Sequence, residues 1–274
     1  MIQRIFYPGD KWLYFKIYSS PINANYLLHN LIQPFTSKWL TLGIINKWFF
    51  IRYSDPGHHL RLRIELTDIK YIGTIICDFR NRVLEDADKG VIASIQIDTY
   101  KRELERYGEN NIDDCENFFF SDSVEVLKSI SRCKSDIELL KDCICWLFSL
   151  MLSTNMSFDE MKKFLSYMEA QYKMEFILSI QQIAVIDMEL RKIRMPILEE
   201  MKCLYLQRDI LDNTKFWIKT QDSSFHLLSS IIHMHVNRLF MLDQRLYEYI
   251  VYHMLLKSLD GLKNILNNKN LKDI

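Results

Sequence analysis

The stretch Trp48-Phe-Phe-Ile-Arg-Tyr-Ser-Asp-Pro-Gly-His-His-Leu-Arg-Leu-Arg63 holds two short apolar runs joined by Asp-Pro-Gly, and its reading decides the fold of the N-terminal part. In the second run Leu60, Leu62, Ile64 and Leu66 alternate with Arg61 and Arg63. A β-strand repeats every two residues, so the apolar set lies on one buried face and the two arginines share the other. Two neighbouring guanidinium forks suit a carboxylate or a phosphate. The same pattern also fits an ordinary strand with a solvated basic face, and the stretch alone leaves both readings open. Asp55-Pro56-Gly57 is read as the turn between strands Trp48–Tyr53 and His59–Leu66, with proline presetting φ at one corner and glycine supplying a positive φ at the next.

Working outward, Trp12–Tyr18 reads as a strand and Ile22–Phe35 as a helix. Thr67 is placed to cap a helix running to about Lys89, with Ile69, Ile72, Ile76, Phe79 and Val83 on its apolar face, and Ile92–Tyr100 returns as a strand. The resulting order, β-α-β-β-α-β, predicts an α+β fold: a split βαβ (ferredoxin-like) antiparallel sheet with both helices on one face, leaving the other face free for a ligand or for packing. After Gly108 the pattern turns helical. Ser121-Asp-Ser-Val-Glu125 looks like a helix start. Ile137, Leu140, Ile144, Leu147, Phe148 and Met151 form a helical stripe, Ser157-Phe-Asp-Glu160 is a capping box, and Pro196 should break a long run near Arg194. A further helix is expected from near Ser230 past Tyr252, and residues from Asn264 to Ile274 are expected to fray. The predicted organisation is a sheet part over residues 1–108 and a mainly helical part over 109–274, packed as one compact unit.

The 274 residues are 49% hydrophobic, which excludes a disordered chain. Lys plus Arg equals Asp plus Glu, 35 of each, so no global field would draw the chain to nucleic acid or to an anionic membrane. The opening residues lack the pattern of a signal peptide, and charges interrupt every apolar run before a membrane-spanning length, so the expected location is the cytoplasm. The six cysteines show neither Cys-x-x-Cys nor zinc-finger spacing to histidine; reduced thiols and no metal site are expected. Seven glycines in the whole chain leave no glycine-rich phosphate loop or dinucleotide fingerprint, and no cofactor is predicted.

Three clusters carry candidate chemistry: Arg61 with Arg63, Glu103-Leu-Glu-Arg106-Tyr-Gly108, and His233-Met-His-Val-Asn237-Arg238. Tyr107-Gly108 ends the second in a turn, where a scaffold commonly presents functional groups. On a helix His233 and Asn237 share a face, with Met234 and Arg238 in the adjacent row. His235 and His253 read as satisfied core histidines.

These residues resemble a known family: the glutamate-elimination domain at the C-terminal end of class I lanthipeptide dehydratases, with its free-standing relatives in thiopeptide and related ribosomal-peptide pathways. The resemblance rests on Trp12–Tyr18 with its Lys-Ile-Tyr, on Phe49-Phe-Ile-Arg-Tyr-x-Asp-Pro-Gly-x-His-Leu-Arg-Leu-Arg63, on Tyr100–Gly108 with Glu-Arg-Tyr-Gly, on Phe118-Phe-Phe-x-Asp-Ser123 and on His233-Met-x-x-Asn-Arg-Leu239. They occur in the family's order across nearly the whole chain. Glu109 departs from the pattern, since the family usually has a second glycine there.

The resemblance implies elimination of glutamate from glutamylated serine or threonine in a precursor peptide, leaving dehydroalanine or dehydrobutyrine. The matching catalytic positions are Arg63, Glu103, Arg106 and His233, with Arg61, Asn237 and Arg238 as substrate-binding neighbours. Such a reaction needs a base for a weakly acidic Cα proton, stabilisation of enolate-like charge and a cationic socket for the leaving carboxylate. The arginines suit the last two needs, and His233 or Glu103 the first. The expected partners are the glutamylated precursor peptide and a separate tRNA-dependent glutamylating enzyme, with no direct contact to nucleic acid; assembly as a homodimer is left open. Two rival readings stay open: a formal [4+2] cycloaddition that builds the pyridine ring of thiopeptides, and a non-catalytic module that binds a peptide or a partner.

Overall fold

The computed structural model describes residues 2–154, 156–177, 179–207 and 224–270. Contacts divide the chain into two units: Met1–Arg132 with His233–Leu242, and Cys133–Ile232 with Asp243–Ile274. The division thus falls at Arg132, where residue 108 was expected, and the first unit reclaims a short segment from the C-terminal region.

The first unit contains β1 (Ile5–Phe6), β2 (Trp12–Ser19), α1 (Pro21–Leu27), α2 (Gln33–Thr41), β3 (Ile45–Tyr53), β4 (His59–Leu66), α3 (Ile72–Asp88), β5 (Ile92–Ile97), β6 (Tyr100–Lys101), α4 (Leu104–Tyr107) and α5 (Ile112–Arg132). A four-stranded sheet has the order β3-β4-β2-β5, every pair antiparallel, and β1 pairs with β6 in a second small sheet. The fold is therefore α+β, with antiparallel sheets as expected. On one face of the larger sheet Phe15 stacks on Phe79 of α3 at 4.4 Å between centroids, and Phe35 of α2 meets Phe79 edge-on at 5.0 Å. Those helices shield the Phe15 face with large aromatic area. The opposite face carries Arg61 and Arg63.

Several expected local features differ. The first helical region reaches Thr41 and contains a π-helical turn at Leu28–Ile32, just before Pro34, which has no N–H to continue a regular ladder. Asp68 caps the turn leading into α3, accepting from the Lys70 N–H, whereas Thr67 donates its hydroxyl to the Ile44 carbonyl. Ile75, Phe79 and Val83 form the buried stripe of α3, while Ile69 is exposed. The Asp55–Pro56 bond is cis, and Gly57 does not adopt a positive φ. The strand expected from Ile92 to Tyr100 divides after Ile97: Asp98 accepts from the Thr99 N–H and pairs with Lys16, and the chain then leaves the larger sheet to join β1. Ser121–Glu125 lies inside α5. Ser121 is exposed, while Asp122 and Ser123 are buried and serve tertiary contacts to Arg238 and to the Phe50 N–H; the Ser123 hydroxyl also donates to the Phe119 carbonyl one turn back at 2.7 Å.

The second unit holds α6 (Asp136–Ser153), α7 (Phe158–Phe176), α8 (Ile180–Leu206), the first part of α9 (Ser224–Leu239) and α10 (Gln244–Asn270). Leu140, Ile144, Leu147, Phe148 and Met151 of α6 are buried as predicted, with Ile137 exposed, and the Ser157–Glu160 capping box is present. α8 runs through Pro196 without ending. Burial of Ile197, Leu198 and Met201 in the following turn offsets the lost backbone bond. The long helix expected from Ser230 past Tyr252 is two helices, broken where Asp243 takes a left-handed φ of 52°. α10 stays helical to Asn270, so the part of the expected frayed end that is described is ordered helix; residues 271–274 lie outside the described residues. His253 of α10 is buried between Glu169 of α7 and Asp187 of α8, the satisfied core role expected for it. No helix among the described residues is long and apolar enough to cross a membrane, and no group of His, Cys, Asp and Glu among them could hold a metal ion.

Candidate active site

Register fixes the arginine pair. Arg63 on β4 lies between Tyr14 on β2 and Phe49 on β3, and Arg61 lies between Lys16 and Ile51. Both arginines therefore share one sheet face, as the alternation predicted. Arg63 is only 8% exposed. Its guanidinium carbon sits 4.7 Å from the Tyr14 ring centroid, 4.8 Å from Tyr100 and 5.3 Å from Phe49. Three aromatic faces hold the cation in place of a carboxylate. Among the described residues Arg63 has no ion-pair or hydrogen-bond partner; its Nε is enclosed and unsatisfied, while its two terminal nitrogens are outside the enclosed set. A buried cation without a counter-ion is costly, so an incoming anion has a large cost to offset.

Neighbouring groups fix this cage. The Tyr100 hydroxyl donates to Glu116 at 2.8 Å, and Arg102 grips the same carboxylate with Nε at 2.7 Å and Nη2 at 2.6 Å. Burial, with Glu116 nearby, pushes the Tyr100 phenol well above its ordinary range, so it remains a donor. Arg61 is half-exposed, with its guanidinium 3.3 Å from the Tyr53 ring centroid. Arg61 Nε donates to His59 Nε2 at 3.1 Å, and His59 Nδ1 faces the Gly57 carbonyl at 2.7 Å. That pairing requires a neutral imidazole protonated at Nδ1, in keeping with burial and the nearby Arg61 charge, which lower its pKa.

Glu103 immediately precedes α4 and Arg106 lies within it, and the two form an ion pair at 3.6 Å. Gly108 ends this turn at φ 79°, a conformation that glycine adopts without Cβ strain. Tyr107 packs edge-on against Phe119 at 5.2 Å; Phe119 lies 5.4 Å from Phe49 and 4.9 Å from the Arg238 guanidinium. Burial raises the Tyr107 phenol to about 12, with Arg106, Glu103 and Arg238 all close enough to act on it. Arg63, Glu103, Arg106 and Arg238 thus surround one aromatic cluster.

Asn237 and Arg238, expected to bind substrate, both make hydrogen bonds within the fold. β3 is an edge strand, and side chains complete its outer hydrogen bonds. The Phe50 N–H donates to Ser123 Oγ at 3.3 Å and the Phe50 carbonyl accepts from Arg238 Nε at 2.8 Å. Asn237 takes the Arg52 N–H at 3.0 Å and returns a bond to the Arg52 carbonyl at 2.9 Å. This satisfies an open sheet edge and fixes the C-terminal turn of α9. Arg238 Nη1 also donates to Asp122 at 2.7 Å, and the other Asp122 oxygen meets His235 Nδ1 at 2.6 Å, all three side chains being buried. Burial works against the Asp122 charge, but His235 and Arg238 outweigh it and hold the pKa below the ordinary value. His233 stands half-buried one turn before Asn237 on this anchored segment, which sets its position.

Sequence reading missed Tyr14, Tyr100, Glu116, Arg102 and Asp122 as parts of the site. The quoted motifs contain Tyr14, Tyr100, Arg102 and Asp122, but only strand register and tertiary pairing show which group each one meets.

Residues 12–259 match the family described as lantibiotic biosynthesis dehydratase C-term. The chain is 26% identical over 265 residues to the subtilin biosynthesis protein SpaB of Bacillus subtilis, covering 90% of this chain and 25% of SpaB. It is also 26% identical over 253 residues to the epidermin biosynthesis protein EpiB of Staphylococcus epidermidis, covering 86% and 24%. The chain thus spans about a quarter of the length of these relatives. Among solved structures, the tRNA-dependent lantibiotic dehydratase MibB from Microbispora sp. 107891 matches 95% of this chain and 29% of its own, with a TM-score of 0.64 and 19% identity. The pyridine synthase TbtD from thiomuracin biosynthesis matches 93% of this chain and 100% of its own, with a TM-score of 0.58 and 10% identity; these two likenesses concern the fold. With nearly the whole sequence matched, the chain belongs to the family of C-terminal domains of lantibiotic biosynthesis dehydratases.

Proposed function

We propose that this chain eliminates glutamate from glutamylated serine or threonine of a ribosomal precursor peptide, forming dehydroalanine or dehydrobutyrine. The observation that carries the reading is Arg63: a buried guanidinium held by three rings, with no anionic partner among the described residues. A carboxylate leaving group supplies the missing charge, and Arg61 adds a second fork beside it. His233 or Glu103 removes the Cα proton, the Cα–H electrons become the Cα=Cβ bond, and the Cβ–O pair leaves on the glutamate carboxylate. Arg106 and Arg63 stabilise the enolate-like charge that develops between these events. The other substrate-binding assignments, Asn237 and Arg238, become positioning residues that hold the His233 segment on the edge of β3.

The reading treats the β2–β5 sheet as a split βαβ scaffold, with α1–α3 behind it and the chemistry in front. It also requires a separate enzyme that glutamylates the precursor using glutamyl-tRNA. The test is mass spectrometry of a glutamylated model peptide incubated with the chain. Loss of the glutamyl group with formation of a dehydro residue supports elimination. An unchanged glutamylated peptide, together with conversion of a dehydrated peptide to a pyridine macrocycle, assigns the chain to the cycloaddition branch.

A further inference from the structure

Resting on that reading, we propose that the Tyr14 hydroxyl is a third donor of the socket, binding the same substrate carboxylate as Arg61 and Arg63. Tyr14 is the direct cross-strand partner of Arg63, and its ring lies under the guanidinium at 4.7 Å. The residue is 4% exposed, so its orientation is fixed by packing. Its hydroxyl makes no hydrogen bond among the described residues and is outside the set of enclosed, unsatisfied atoms. The ring is packed while the hydroxyl stays accessible, so the O–H is placed to donate to an incoming group. The charged groups acting on this hydroxyl are Arg63, Arg61, Lys16 and Asp98. Lys16 and Asp98 are paired with each other, which leaves the two arginines as the available cations beside it. Burial raises the Tyr14 phenol above its ordinary value, so it stays protonated and donates at neutral pH.

An O–H beside two guanidiniums adds direction to a contact that charge alone leaves loose, and it favours a carboxylate oxygen over a halide or a bulky anion. Tyr14→Phe removes this donor and keeps the ring that supports Arg63. The probe is free L-glutamate, the expected product, titrated calorimetrically into the full chain, alongside turnover of a glutamylated peptide. The expected result is about tenfold weaker glutamate binding and a comparable rise in KM for Tyr14→Phe, with unchanged thermal unfolding. Glutamate binding equal to wild type in Tyr14→Phe overturns the proposal, as does failure of the wild-type chain to bind glutamate. Wild-type elimination with no Tyr14→Phe effect removes Tyr14 from the socket and leaves the proposed function standing. Tyr14-dependent glutamate binding without any elimination supports the socket and refutes the reaction.

Discussion

Asp122→Asn is the sharpest structural perturbation available in the first unit. Asp122 is 3% exposed and holds two buried cationic or donor groups, His235 at 2.6 Å and Arg238 at 2.7 Å; Arg238 is 0% exposed. The amide can accept from one of these neighbours but turns an N–H toward the other, and it leaves the Arg238 charge without an anion. Removing one member of a buried pair costs about 3–5 kcal/mol, and the bond that asparagine retains places this change near the lower end. About 3 kcal/mol corresponds to roughly a hundredfold or more in a local opening equilibrium. The loss should appear where Arg238 and Asn237 hold the chain, at the outer edge of β3. Because the chain has two units, hydrogen exchange resolved by peptide is a better readout than a global melt. Amides of Ile45–Tyr53 should lose about two decades of protection, while those of Asp136–Ser153 in the second unit keep theirs. Adding Arg238→Met should restore part of the loss, since the uncompensated charge is then gone. A change below about threefold in the β3 peptide, or an equal change in both units, refutes the anchoring argument.

Other consequences are independent of that one. His59→Ala should raise KM for the glutamylated peptide about fivefold and leave kcat within about twofold, because His59 only orients Arg61; a kcat loss as large as the KM change would contradict this. In the second unit the His253 contact, opposed by burial and aided by Lys173, lowers the Glu169 carboxyl to about 2. A depressed carboxylate binds more protons unfolded than folded, so its stabilisation is complete above about pH 4.5 and is lost as pH falls toward 2. The amount at stake is about 3 kcal/mol. Urea midpoints measured from pH 6 to pH 3 should fall more steeply for wild type than for Glu169→Gln, and parallel curves would remove Glu169 from the acid response.

The part of this structure that was legible in the sequence is the part governed by short periods. Leu60 to Leu66 alternate, and β4 presents Arg61 and Arg63 together. The Ser157–Glu160 box and the α6 stripe likewise depend on neighbours within one or two turns. Local signals failed where tertiary pairing took over a capping-type or helix-breaking residue. Ser121–Glu125 has the composition of a helix start, yet Asp122 and Ser123 are used to hold α9 and β3 from the middle of α5. Pro196 sits within a helix supported by the buried residues that follow it. The site divides in the same way: the arginine pair was visible, but the ring cage requires the Tyr14–Arg63–Phe49 register and a tyrosine from β6. No linear pattern reveals that an open strand edge 185 residues away takes up Asn237.

The central proposal is that Arg63 holds the leaving carboxylate during glutamate elimination, and Arg63→Lys tests it most directly. Lysine keeps the positive charge but loses the planar fork and its stacking against three rings. In a mass-spectrometric time course on a glutamylated model peptide, the wild-type chain should release glutamate and leave a dehydro residue without added ATP, metal or tRNA. Under the same conditions Arg63→Lys should be slower by at least about a hundredfold, with glutamylated peptide accumulating unchanged. Elimination by Arg63→Lys at the wild-type rate would contradict the account.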